Sequence, residues 1–147
     1  MQRIQVVKIQ MLREKNMMVE NKNISSPKDV AEIMFDYLQY ADREHLVVIT
    51  LNTKNDINSI STVSIGSLQS SIAHSREIFK TAILSNAASI IFCHNHPSGD
   101  PSFSKDDILI SKRIKECGDI LGIKVLDHIV ITDTKKFLSM KSENIVF

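Results

Sequence analysis

The run Cys93-His94-Asn95-His96-Pro97-Ser98-Gly99-Asp100-Pro101-Ser102-Phe103-Ser104-Lys105-Asp106-Asp107 holds two imidazoles one residue apart and a carboxylate at what reads as a helix start. In an extended segment, residues two apart point the same way, so both rings can face one point. Two histidines and one carboxylate match the ligand set of hydrolytic zinc centres, three protein ligands with a fourth position open. Asp107 has a second reading. If Ser104 is an N-cap, Asp107 is N3, Ser-x-x-Asp approximates a capping box, and an acid suits the helix N-terminus. Capping accounts for Ser104 and Asp107 but not for the histidine pair before them.

A hydrolytic centre also needs a carboxylate to take and deliver protons. Asp100 and Asp106 are near in sequence. Glu44, at the start of a buried strand, and Glu77, in a helix start, are distant candidates. Spacing does not choose among them. Glu44 has the attraction that neighbouring strands of one sheet bring their ends together.

The elements that must position these residues follow from periodicity. Arg3 to Met11 alternates Val and Ile and suggests a strand, followed by a polar linker. Ser26 and Pro27 start a helix as N-cap and first-turn proline, and the spacing of Val30, Ile33, Met34, Tyr37 and Leu38 carries it to about Tyr40. His45 to Leu51 is a β-branched run, Asn52 to Asp56 has turn chemistry, and Ile57 to Ile65 completes a hairpin that Gly66 breaks. Ser75-Arg76-Glu77-Ile78 starts a second helix. Ala88 to Cys93 reads as a central strand, with His94 and His96 at its C-terminal end and just beyond. Pro97 to Phe103 is a loop. Ser104 then begins a long amphipathic helix with Ile108, Ser111, Ile114, Cys117 and Leu121 as its inner stripe and Gly118 and Gly122 as late breakers. Ile123 to Thr132 is another strand, and Lys136 to Met140 a short last one. Helices alternating with buried strands predict an α/β chain whose sheet is covered on both faces. Residues 26–147 read as the domain, and residues 1–25 as a strand and linker before it.

A length of 147 residues fits one core, and 43% apolar with 24% charged residues is an ordinary globular composition. The net charge of +1 gives no bulk argument for nucleic acid, although a local basic patch is open. Cys93 and Cys117 sit in apolar patterns and read as buried thiols. No signal peptide opens the chain, and its apolar runs are too short to cross a bilayer, so a membrane partner is not expected and a reducing cytoplasm is.

The string His94-x-His96, Ser104-x-x-Asp107 resembles the signature of the JAMM (MPN+) metalloprotease family. His94-Asn95-His96-Pro97-Ser98-Gly99-Asp100-Pro101, Arg76-Glu77-Ile78-Phe79, Gly66-Ser67 and Asp127-His128-Ile129-Val130 resemble its RadC-like branch, over roughly Ser26 to Phe147. The resemblance implies a three-layer α/β/α sandwich with a mixed sheet, similar to the cytidine deaminase fold. It implies one Zn²⁺ on His94, His96 and Asp107, with water in the fourth position. Glu44 would be the general base and then the acid, and Ser104 would donate to the oxyanion. The activity implied is hydrolysis of peptide or isopeptide bonds in a polypeptide substrate or partner protein. Family members also carry a helical region resembling a helix-hairpin-helix DNA-binding module, and this chain is expected to be too short to hold it. The usual Gly-Thr after the hairpin is Gly66-Ser67 here.

Other readings compete. A DNA-repair accessory or nuclease fits the history of the RadC-like branch, but adjacent His94-Asn95-His96 is only superficially an HNH nuclease pattern. A non-catalytic interaction module is expected of relatives that lack the metal ligands, and all three are present. A deaminase would want His-x-Glu with Pro-Cys-x-x-Cys. A metallo-β-lactamase-like centre would want Asp and His where Ser98 and Gly99 stand. Cys93 alternates with His94 and should point away from a metal. His128 reads as a structural histidine, with support of the metal site as the sharper alternative. His74 reads as a loop cap, His45 as a strand edge, and Lys112, Arg113 and Lys115 as a solvated helix face.

Overall fold

A computed structural model describes residues 1–66 and 71–147, the side chains of residues 71–74 excepted, so the readings of Ser67 and of the His74 side chain lie outside the described residues. The elements are α1 (Pro27–Tyr37), β1 (His45–Leu51), β2 (Ile57–Ile65), α2 (Ser71–Leu84), β3 (Ser89–His96), α3 (Lys105–Leu121), β4 (Lys124–Thr132) and β5 (Phe137–Ser139). One mixed sheet has the order β2-β1-β3-β4-β5. β1 is antiparallel to β2 and β3, β3 and β4 are parallel with α3 as their crossover, and β5 is antiparallel to β4.

The period-2 alternation of the strands divides the core into two layers. Val47, Ile49, Leu51, Ile91 and Cys93 face α1, against Val30, Ile33 and Met34. Leu46, Val48, Ile90 and Phe92 face α2 and α3, against Ile78, Phe79, Ile110 and Ile114. The result is the expected three-layer α/β/α sandwich. Counting on from Phe92, parity sends His94 and His96 to the α2/α3 face and Asn95 to the other.

Both helices flanking the site-bearing elements begin as expected. Ser26 caps α1 and Ser104 caps α3, each in a full capping box with Asp29 and Asp107. The outer ends differ. α1 stops at Tyr37, and no residue between Leu38 and Leu46 is buried; Tyr40 is exposed. α2 begins at Ser71, before Ser75. β3 runs on through His96, so both histidines belong to the strand.

Two expectations are corrected. Arg3 to Met11 forms no strand; it has no ladder partner among the described residues, and Val6 is 95% exposed. Alternation alone does not make a strand without an edge to pair with and a face to bury. The chain first joins the sheet at Asn23, bridged to Asp56. The inner stripe of α3 is Asp107, Ile110, Ser111, Ile114 and Gly118, with Leu121 exposed. Gly118 sets that rotation: a Cβ there would lie 2.5 Å from the Ile123 carbonyl oxygen and 2.6 Å from Val125 Cγ2. The helix backbone thus rests directly on the start of β4.

No helix among the described residues is long and apolar enough to cross a membrane.

Candidate metal centre

Two elements deliver the cluster. β3 carries His94 and His96 on one face, and the capped first turn of α3 lays Asp107 against them. His94 Nε2 lies 3.3 Å from Asp107 Oδ1, and His96 Nε2 lies 3.5 Å from Asp107 Oδ2. The two Nε2 atoms are 2.7 Å apart. One donor atom from each residue falls within 4.8 Å of the others, an arrangement that can hold a metal ion. Ligands at zinc bond lengths of about 2.0–2.1 Å around a tetrahedron sit roughly 3.3 Å from each other. The two nitrogen–oxygen separations match that edge, and the nitrogen–nitrogen contact is tighter. Both Nδ1 atoms are engaged elsewhere, so each ring presents Nε2 to the common point. His96 Nδ1 meets the Asp100 carbonyl at 2.8 Å, and His94 Nδ1 meets His128 Nε2 at 2.6 Å. Donor set, spacing and ring orientation therefore fit a divalent metal.

The charges agree. Burial lowers the His94 pKa to about 4, against the pull of Asp107, so this ring is neutral. His96 is raised, first by its bond to Asp107 and against partial burial. Burial alone would raise Asp107. The bond to His96, the His94 ring and the Ser104 N–H outweigh it and hold the carboxyl well below its usual range. The upward shift of His96 and the downward shift of Asp107 mark a point between them that favours positive charge.

Glu44 immediately precedes β1. It lines a cleft of about 290 Å³ with His96, Pro97, Ser98, Asp100 and Ser102, and its charge helps raise His96. The other acids stand differently. The Asp100 carboxylate accepts the Ser102 N–H at 2.9 Å, Glu77 pairs with Lys80 at 2.8 Å on the surface of α2, and Asp106 is exposed in the first turn of α3. Ser104 is exposed, and its hydroxyl oxygen accepts the Asp107 N–H at 3.1 Å while Asp107 Oδ2 accepts the Ser104 N–H at 2.7 Å. The hydroxyl proton is left over from that exchange.

Sequence reasoning missed Asn95. Its Oδ1 accepts the His45 N–H at 2.7 Å, and its Nδ2 donates to the Arg43 carbonyl at 2.9 Å. One amide thus grips the backbone on both sides of Glu44 and fixes it to the strand that bears the histidines. The only signal was a polar residue at an inward position of a buried strand. For His128 the geometry favours the sharper of the two sequence readings, support of the metal site: it lies against His94 and, through Nδ1, 2.6 Å from Ser111 Oγ. Burial drives its pKa well below the usual 6.5. Cys93 points to the α1 face, away from the cluster, and burial pushes its thiol up. Neither cysteine is in a disulfide.

A family model described as the RadC-like JAB domain matches residues 24–145. A UPF0758 protein of Moorella thermoacetica is 50% identical over 123 residues, covering 84% of this chain and 53% of that protein. A UPF0758 protein of Caldanaerobacter subterraneus subsp. tengcongensis is 53% identical over 114 residues, 78% of this chain and 49% of the relative. One from Clostridium novyi is 52% identical over 123 residues, 84% and 54% respectively. The chain spans about half the length of the curated relatives it matches.

Proposed function

This chain belongs to the RadC-like JAB domain family, and from that premise we propose that it is a zinc-dependent hydrolase of the JAMM type, cleaving peptide or isopeptide bonds. The observation that carries the reading is the convergence of His94 Nε2, His96 Nε2 and the Asp107 carboxylate beside the cleft that Glu44 lines. One Zn²⁺ per chain would be held by those three residues. When bound, zinc supplies a Lewis acid that brings a water toward ionisation at neutral pH and polarises a carbonyl oxygen.

The remaining work falls to the chain's own groups. Glu44 takes the proton of the attacking water and returns it to the departing amine nitrogen. Asn95 holds that carboxylate in register with His96. Ser104 donates its free O–H to the oxyanion, while its lone pair still caps α3. The substrate is a polypeptide, and two free thiols suit a reducing cytoplasm. The net charge of +1 lends nothing to a DNA substrate.

Metal analysis tests the reading. Protein purified without chelators should hold about one zinc per chain, and Asp107→Ala should lose it. Glu44→Gln should keep the zinc and lose at least about 100-fold in hydrolysis of a mixed peptide library. A metal-free wild type overturns the proposal, and an active Glu44→Gln removes Glu44 from it.

A further inference from the structure

We propose that Ser111 and His128 form a proton-ordered relay that fixes His94 in the one tautomer able to bind a metal. Both are then positioning residues for the centre. The inference rests on the reading of His94, His96 and Asp107 as that centre.

The two ligand histidines are braced differently. His96 turns Nδ1 to a main-chain carbonyl, that of Asp100. A carbonyl only accepts, so it fixes the proton on Nδ1 and the lone pair on Nε2. His94 turns Nδ1 to another imidazole. An imidazole nitrogen can donate or accept, so this brace orients nothing unless His128 is itself fixed.

Ser111 supplies the fixing. Its Oγ lies 2.7 Å from the Asp107 carbonyl oxygen, four residues back in α3. The hydroxyl has one proton, and it points at that carbonyl. Only lone pairs remain toward His128, whose Nδ1 is 2.6 Å away, so that nitrogen carries the N–H. A neutral ring then has its lone pair on Nε2. Across the 2.6 Å contact to His94, the donor must be His94 Nδ1. The lone pair of His94 is left on Nε2, facing Asp107. The opposite order would put N–H on His94 Nε2, closing the metal position. It would also set two oxygen lone pairs against each other at the Ser111–Asp107 contact.

The surroundings leave the relay no solvent. His94, Ser111 and His128 are each 0% exposed, so no water can replace a lost bond. The His128 ring is stacked on Phe92 at 4.2 Å between centroids, with Phe103 at 6.2 Å. α3 therefore acts twice on one metal. Its Asp107 side chain is a ligand, and its Asp107 carbonyl, through Ser111 and His128, sets the tautomer of a second ligand.

Nitrogen-15 NMR of the histidine rings in the full chain tests this directly. At about pH 8, above the ordinary histidine range, His94 and His128 should both be protonated at Nδ1 in the zinc-loaded chain. Protonation of His128 at Nε2 in a zinc-binding wild type overturns the relay alone. Ser111→Ala should weaken zinc about 10–100-fold in competition with a chromophoric chelator, with ring signals showing His94 and His128 in mixed tautomers. Affinity within about threefold of wild type, far below that range, also overturns it. If Ser111→Ala fails to fold, the wild-type ring protonation decides. A wild type that binds no zinc sinks the metal reading instead, whatever its tautomers.

Discussion

Asn95 sits between His94 and His96 yet points away from both, and its position explains how Glu44, far away in sequence, is held beside them. β1 and β3 are antiparallel, so the start of β1 lies at the end of β3. Pairing alone places backbones within a residue or so of register. The Asn95 amide removes that slack by bonding the Arg43 carbonyl and the His45 N–H together. A side chain fixed on either side cannot swing with its loop. Asn95→Ala removes both bonds and leaves two partly exposed backbone groups to water, at a net cost of about 0.5–1.5 kcal/mol each. His94, His96 and Asp107 are untouched by that change. Zinc stoichiometry should therefore stay at wild-type level while hydrolysis falls, and the fall should be in kcat. Loss of zinc in Asn95→Ala, measured by metal analysis of the folded variant, would contradict this division of labour.

α3 is the element on which the centre depends most, and Gly118 is where it is seated. In an exposed helix, Gly→Ala gains roughly 1 kcal/mol from backbone entropy and propensity. Here the new Cβ meets a backbone carbonyl at 2.5 Å, which cannot give as a side-chain tip can. Overpacking of this kind costs about 1–3 kcal/mol and moves the helix off β4. Gly118→Ala should lower the urea midpoint and, by displacing Asp107 and Ser111 together, weaken zinc. A midpoint at or above wild type would show that the contact yields. The same glycine marks where sequence reading reached its limit. Periodicity treated Gly118 as a breaker and so rotated the α3 stripe onto Ile108 and Leu121. β1 and β2 were legible to the residue because β-branched runs end at Asn52–Asp56 and Gly66. The caps at Ser26 and Ser104 were legible because capping is local. His128 was not, because β4 carries an irregularity: Ile90 pairs with Val125 but Ile91 with Asp127. Skipping Leu126 puts His128 on the same face as Val125, against the parity that the sequence suggests. The Asn95 clasp and the His94–His128 contact exist only once three strands are assembled, and the Arg3–Met11 alternation finds no partner strand among the described residues.

At the scale of the whole molecule, the centre makes the metal-free domain sensitive to acid. His94 and His128 are folded neutral, with pKa values below the ordinary 6.5, that of His94 at about 4. An unfolded chain binds protons at both positions where the folded one does not. Their contribution is therefore present above pH 6.5 and is lost as pH falls toward 4. For His94 alone, wholly buried, the loss across that window is on the order of 3 kcal/mol. His96 runs the other way. Its raised pKa favours the fold below 6.5 and fades as pH rises through the folded value. Asp107, held low, favours the fold above its ordinary 3.8 and so adds nothing new within the window. His94 and His128 are wholly buried and His96 only partly, so the two lowered rings dominate and stability should decline with acidification. Zinc changes the balance, because a ligated ring cannot take a proton and protons compete with the metal for the same nitrogens. Urea unfolding of chelator-treated protein should give a clearly lower midpoint at about pH 4.5 than at about pH 7.5, and saturating zinc should raise the midpoint more at the higher pH. Equal midpoints for the metal-free protein at the two pH values would mean that His94 and His128 take protons without opening the core, and the neutral cluster described for them would have to be abandoned.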